Sequence, residues 1–263
     1  MSYCLGINTA DGLVLASDSR SSSGSDRFST CQKMHQFVIP GERVFVILTT
    51  GSLSLSQSVI TLLRQDFDAG AGLAKVPTMY DAARELGSMV RRISDIDRTA
   101  LEKDNFSFNV HLLLGGQIKG QPHELYLIYP QGNPLRSTPD SPFLQIGESK
   151  YGRPILDRGI IHQSTTTFQA AKYSLLSLEA TMRSNATVGP PVDLLLYNRD
   201  DLRVSHYRRF YSHDPDLIEI HNSWEKALRH AVHQLPDIRF DGGDVRSTTE
   251  TEPPTWQSPV EQS

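Results

Sequence analysis

Several strand-length stretches of this chain are apolar almost without interruption, and this limits the available folds more than any other feature. "YCLGINT", "LVLAS", "RVFVILTT", "VHLLLGG", "ELYLIY" and "VDLLLYN" are rich in Val, Leu and Ile. A strand with one wet face alternates apolar and polar residues, whereas a continuous run is covered on both faces. The first two stretches flank Ala10-Asp11-Gly12, and Asp-Gly between apolar runs signals a hairpin. "VDLLLYNRDDLRVSHYRRF" reads as a second hairpin around Arg199-Asp200-Asp201. Helical periodicity takes over in separate blocks. One helix starts near Thr78, with Asp81 at the capping-box position, and repeats Met79, Ala82, Ala83, Leu86, Met89, Val90 and Ile93. A second covers roughly 166–182. A third starts at Asp214-Pro215 and repeats Leu217, Ile220, Trp224, Ala227, Leu228, Ala231 and Leu235. A weaker one spans about 55–67. Strands in consecutive runs and helices in blocks predict an α+β fold. Two antiparallel sheets stack face to face with helices outside, a four-layer αββα sandwich rather than a βαβ parallel sheet.

Composition narrows the function classes. The net charge of −4 gives no reason to expect a nucleic acid or an anionic membrane as partner. No apolar stretch approaches the roughly 20 residues of a membrane span, and no secretory signal is visible. Cys4 and Cys31 are not in CxxC spacing, so reduced thiols in a cytoplasmic protein are expected. After about residue 237 the chain becomes rich in Gly, Pro, Ser, Thr and acid. The expectation is one folded domain over 1–237 and a disordered acidic tail over 238–263, with Trp256 the one residue there able to anchor on a partner.

The chain opens "MSYCLGINTADGLVLASDSR", with a hydroxyl residue directly after methionine and a charged pair where a buried strand should simply stop. A turn of two or three residues at 10–12 pairs strand 3–9 with strand 13–20 and sets Ser2 across from position 20 or 21. Asp18 then lies one or two residues away on the neighbouring strand. The next strand, "QKMHQFVIP", brings Lys33 to the same sheet end. This gathering has a chemical purpose. Serine is a poor nucleophile without a base. If Met1 is removed, Ser2 carries both a hydroxyl and a free α-amine, whose ordinary pKa of about 7.7–8.0 suits it to act as a base near neutrality. Lys33 keeps that amine neutral and favours the deprotonated hydroxyl, while Asp18 holds Lys33 in place. Serine is small enough to follow a processed methionine.

These residues resemble the proteasome-type N-terminal nucleophile (Ntn) hydrolases. The similarity is specifically to the bacterial ancestral β-subunit (Anbu) family, related to HslV-type peptidases and proteasome β-subunits. It is carried by the opening stretch and by "QKMHQF", "LTTGSLSLSQ", "QIGESKYGRPILDR" and "NATVGPPVDLLLYNRDDL", across most of residues 2–210. The resemblance implies the Ntn-hydrolase sandwich and a peptidase or amidohydrolase with Ser2 as nucleophile and Asp18 and Lys33 as its supporting pair. Arg20 matches the arginine of an Asp-x-Arg element and implies structural ion pairing. Gly51 of "TTGS" matches the glycine whose N–H contributes the oxyanion site, and Ser149 of "GESK" resembles a serine that assists the amine. The family implies no metal or organic cofactor. It also implies a homo-oligomer, either a ring or an open helical assembly, a peptide or peptide-like substrate, and ligase or transglutaminase-like operon partners. Two departures stand out. Most proteasome-type members use Thr where this chain has Ser2, and an aspartate is replaced in "MRSNATVG" by Ser184, Asn185 and Thr187.

A catalytically silent, self-assembling scaffold is the alternative, and a retained Met1 favours it. His230 and His233 lie three apart on one helical face without a third ligand at a familiar spacing, so they read as an exposed pair rather than a metal site. "GSLSL" lacks the second glycine of a nucleophile elbow, and no P-loop or dinucleotide fingerprint is present.

Overall fold

The computed structural model describes residues 2–22 and 28–238. The strands β1 (Tyr3–Thr9) and β2 (Gly12–Asp18) form the expected hairpin. A short ribbon pairs β3 (Arg20–Ser22) with β4 (Phe28–Thr30). Then come β5 (Met34–Ile39), β6 (Arg43–Gly51), α1 (Leu53–Asp68), a 3-10 turn at Gly72–Ala74 and α2 (Met79–Lys103). A meander of β7 (Val110–Ile118), β8 (Glu124–Ile128) and β9 (Pro134–Arg136) follows. The remaining elements are β10 (Phe143–Gly147), α3 (Arg153–Gly159), α4 (Thr167–Ser184), β11 (Val192–Asn198), β12 (His206–Phe210) and α5 (Pro215–His233).

One antiparallel sheet has the order β10-β1-β2-β11-β12 and the other β5-β6-β7-β8-β9. Their facing sides interleave Cys4, Leu13 and Leu15 with Val46, Leu48, Leu113 and Leu125, all buried. The opposite face of the second sheet packs on α1 and α2 through Ile47, Val59, Leu86, Val90 and Leu112. The opposite face of the first sheet packs on α3 and α4 through Leu5, Val14, Leu156, Leu175 and Leu178. This is the expected αββα sandwich, and it explains why β2 and β6 lack alternation: residues on both of their sides are covered. The local signals for α2 are realised. Thr78 Oγ1 accepts from the Asp81 N–H at 3.1 Å, a cap that contributes about 1 kcal/mol. Thr166 caps α4 with a full capping box.

The chain divides into two compact units, Met1–Ser223 and Trp224–Ser263. In the first, Leu217 and Ile220 of α5 lie against the helix-side core of the first sheet. In the second, Leu228, Val232 and Leu235 are exposed, so the apolar stripe read from α5 does not become core there. Residues 239–263 of the expected tail, Trp256 among them, lie outside the described residues. No helix of the described residues is long and apolar enough to cross a membrane.

Candidate active site

The hairpin closes with a two-residue turn, so Cys4 pairs with Ser17 and Thr9 with Gly12. Extending that register sets Ser2 level with Ser19, not with position 20 or 21 as a turn that includes Gly12 would require. The tighter turn brings Asp18 opposite Tyr3, and the Tyr3 N–H donates to Asp18 Oδ1 at 3.0 Å.

Asp18 is fully buried and accepts from three further donors. The Arg20 and Gly189 N–H groups reach Oδ2 at 3.2 Å each, and Lys33 Nζ reaches Oδ1 at 2.6 Å. Burial pushes the Asp18 carboxyl above its usual range, while the Lys33 ammonium and the backbone N–H groups pull against it. Lys33 is only 3% exposed. Its backbone carbonyl accepts from Thr49 N at 3.0 Å, tying it to β6, and its Nζ also donates to the Arg20 carbonyl at 2.6 Å. An ammonium has three N–H donors. One of Lys33's therefore remains without a partner among the described residues. A buried pair is costly to assemble and costly to break, so its presence at a sheet end fixes both side chains tightly.

Arg20 serves the scaffold. Its Nη1 donates to the Ala186 carbonyl at 2.6 Å, and the Ser19 and Arg20 N–H groups both donate to Gly189 O. The loop 185–189 is thereby clamped to the end of β2.

Two glycines shape the other side of Ser2. Gly51 ends β6 with φ +103°, and a Cβ there would meet the Asn109 carbonyl at 2.2 Å. Gly147 ends β10 with φ +85°, and a Cβ there would meet the Ser2 carbonyl at 1.9 Å. Only glycine accepts both the conformation and the approach. Beyond Gly147, the Glu148 N–H donates to Ser2 O at 2.8 Å. The Glu148 side chain, 7% exposed, accepts from Asn185 Nδ2 at 3.0 Å and lies 3.7 Å from Lys150 Nζ. Because β1 lies between β10 and β2, the loop that touches both Glu148 and Asp18 spans the sheet end where Ser2 stands. Thr187 and Asn185, the departures noted in the sequence, bond to each other: Thr187 Oγ1 to Asn185 Oδ1 at 2.6 Å.

Ser2, Gly51 and Gly147 line one cavity of about 540 Å³, together with Thr50, Asn109 and His111. It is the open end of the layer between the two sheets. Of the expected residues, Ser2 and Gly51 meet in this cavity, and Asp18 and Lys33 stand at the same sheet end. Ser149 is different: it does not line the cavity, its N–H donates to Gly147 O at 3.1 Å, and its carbonyl accepts from Arg153 N at 3.0 Å as α3 begins. The residue bonded to Ser2 is its neighbour Glu148. Sequence reading passed over Glu148 and Gly147. The signal for them was a Gly-Glu pair at the end of a five-residue strand, readable only once that strand is placed beside β1.

The cysteines are both free, with Cys4 buried. Burial pushes the Cys4 thiol well up, which makes it inert rather than a competing nucleophile. Among the described residues no group of three His, Cys, Asp or Glu could hold a metal ion, and His230 and His233 are exposed.

The model of the family described as Proteasome subunit matches residues 2–195. The chain belongs to the proteasome family. Among solved structures it is similar to the Anbu of the helical assembly from Pseudomonas aeruginosa, with 42% identity, TM-score 0.86, and 92% of this chain and 100% of that chain covered. It is likewise similar to Anbu (ancestral beta-subunit) from Yersinia bercovieri, with 39% identity, TM-score 0.85, and coverage of 90% and 99%. A curated relative, the proteasome subunit beta of Haloquadratum walsbyi, is 24% identical over 208 residues, covering 78% of this chain and 77% of its own. The proteasome-type sandwich and the Anbu likeness expected from the sequence both hold.

Proposed function

We propose that this chain is a proteasome-type peptidase or amidohydrolase whose nucleophile is Ser2, freed by removal of Met1. The observation that carries this reading is the buried Asp18–Lys33 pair, 2.6 Å apart, at the sheet end where Ser2 opens into the cavity. The neutral α-amine of Ser2 takes the hydroxyl proton, directly or through water, as Oγ attacks the amide carbonyl carbon. The Gly51 N–H holds the oxyanion. The new ammonium gives its proton to the leaving nitrogen, the C–N bond breaks, and an ester on Ser2 remains. Water then attacks that ester, again with the amine as base, and the C–Oγ bond breaks to release the acid and restore Ser2. Lys33 supplies positive charge beside the hydroxyl, with one N–H left to donate. Asp18 fixes Lys33, and Glu148 fixes the Ser2 carbonyl through its backbone. Ser149, on the turn that carries Glu148, is the serine that assists the amine in this reading. No step asks for a metal or organic cofactor.

The substrate is a peptide or peptide-like amide, and the working form is a homo-oligomer, ring or open helix. The helical assembly named for the Pseudomonas relative supports the latter. The setting is the cytoplasm of a bacterial cell, and ligase or transglutaminase-like operon partners fit a specialised peptide. The alternative, a silent scaffold, predicts an intact fold with no reactive residue. Incubation with a β-lactone followed by peptide mapping separates them: an adduct on Ser2, lost in Ser2→Ala and reduced about 10³-fold in rate in Lys33→Ala, is expected. A folded protein with no adduct, or with an adduct elsewhere, overturns the enzyme reading.

A further inference from the structure

The cavity beside Ser2 has a composition that restricts what it can hold. Its floor is apolar, made by Leu127 and Ile146, whose side chains belong to the core between the sheets. Its walls carry Thr50, Asn109, His111 and Tyr129. None of these four side chains makes a hydrogen bond among the described residues; Thr50 is buried, His111 and Tyr129 are half-buried and Asn109 is exposed. None of the residues lining the cavity is an Asp, Glu, Lys or Arg. Burial lowers the pKa of His111, which favours a neutral ring with one donor and one acceptor. Lys33 is committed to Asp18 and Arg20 and does not line the cavity.

We infer that this cavity receives a carboxamide side chain, of the glutamine or asparagine kind, next to the bond that is cut; this rests on the Ser2 reading above. The aliphatic stem of such a side chain lies on Leu127 and Ile146. Its amide, both donor and acceptor, meets Asn109, His111, Thr50 and Tyr129. A carboxylate or ammonium of the same length enters without a countercharge and loses its water. A leucine of the same shape covers Thr50, His111 and Tyr129 without giving them a partner, and a site built for hydrogen bonds rejects the analogue that lacks them.

The test uses the processed full chain in its native assembly. A β-lactone bearing no recognition side chain first reports Ser2 reactivity alone. Acyl-peptide amides that differ only in the residue next to the scissile bond (Gln, Leu, Glu or Lys) then report the cavity. The expected result is lactone labelling of Ser2 together with a kcat/KM for Gln about tenfold or more above Leu, Glu and Lys. His111→Leu should cut the Gln-to-Leu ratio about tenfold. If that variant fails to fold, Tyr129→Phe, which removes only a hydroxyl, should still lower the ratio. Labelling of Ser2 with equal rates across the set, with a preference for Leu or a charged residue, or with no peptide cleaved, overturns the carboxamide inference and leaves the nucleophile standing. An absence of labelling in folded protein overturns both.

Discussion

The layer between the two sheets opens at both ends, and the two openings differ in a way that separates a site from a cleft. At the Ser2 end, the Asp18 carboxylate is met by four donors, and the Lys33 ammonium beside it is all but sealed from water. Two glycines there hold backbone that no other residue could adopt. At the hairpin-turn end, a cavity of about 400 Å³ is lined by Asn8, His123, Glu124, Arg136, His162 and Arg199. Its charges sit near solvent: Arg136 pairs with Glu124 at 3.0 Å and is largely exposed. Its histidines bond to the backbone, His123 to Thr9 O at 2.8 Å and His162 to Asn8 O at 3.0 Å. Asn8 Oδ1 and His123 Nδ1 are buried without partners among the described residues. The second opening therefore pins a turn in place, while the first invests buried charge in a fixed arrangement. Preorganised charge, not concavity, marks the reactive end.

The comparison is broken most readily at Lys33. Lys33→Ala leaves Asp18 buried and unpaired, so a stability loss of about 3–5 kcal/mol in urea titration should accompany the loss of labelling. A variant that keeps wild-type stability would place the pair outside the reactive end's architecture. Gly147→Ala comes next. The positive φ and the 1.9 Å approach to the Ser2 carbonyl must both be relieved, so about 2–4 kcal/mol of stability should go, with labelling slowed because Ser2 is displaced. Little change in either would mean that this turn does not position Ser2.

Titration sharpens the contrast. Burial raises the Asp18 carboxyl, so its protonation, and the loss of Lys33's partner, begins at higher pH than for an ordinary aspartate. The acid limb of the labelling rate should thus lie above about pH 3.9. At the other end burial lowers the pKa of His123. The folded chain disfavours the charged ring, so the stability His123 contributes is present above about pH 6.5 and is lost as pH falls through its lowered value. His123→Leu should flatten that fall by about 1 kcal/mol or less without moving the labelling rate. An altered labelling rate in His123→Leu would tie the two ends together and undo the distinction drawn between them.

Much of this was legible in the sequence because it is local. The Asp-Gly hairpin signal, the Thr78 cap and the continuous apolar runs each act within a few residues, and each element formed. The meeting of Ser2, Asp18 and Lys33 was legible because consecutive antiparallel strands must bring it about. The register slipped by one or two residues because Gly12 lies in β2 and the turn is Ala10-Asp11 alone, a placement decided by backbone geometry that composition does not specify. What stayed hidden depends on distant pairing. The strand Phe143–Gly147 reaches β1 across more than a hundred residues of chain, and with it come Gly147 and Glu148. The periodic stripe of α5 was legible as a helix, yet periodicity reports only that a face wants cover: Leu217 and Ile220 are partly covered, and no residue of α5 is fully buried.

The central claim is that reactivity belongs to an alcohol and an amine on the same residue. Intact-mass analysis of lactone-treated protein, resolved into molecules with and without the mass of Met1, tests it most directly. Adducts found on Ser2 only in molecules that have lost Met1 are the predicted result. Adducts of equal yield on molecules that retain Met1, where the Ser2 nitrogen is an amide and no base, would contradict it.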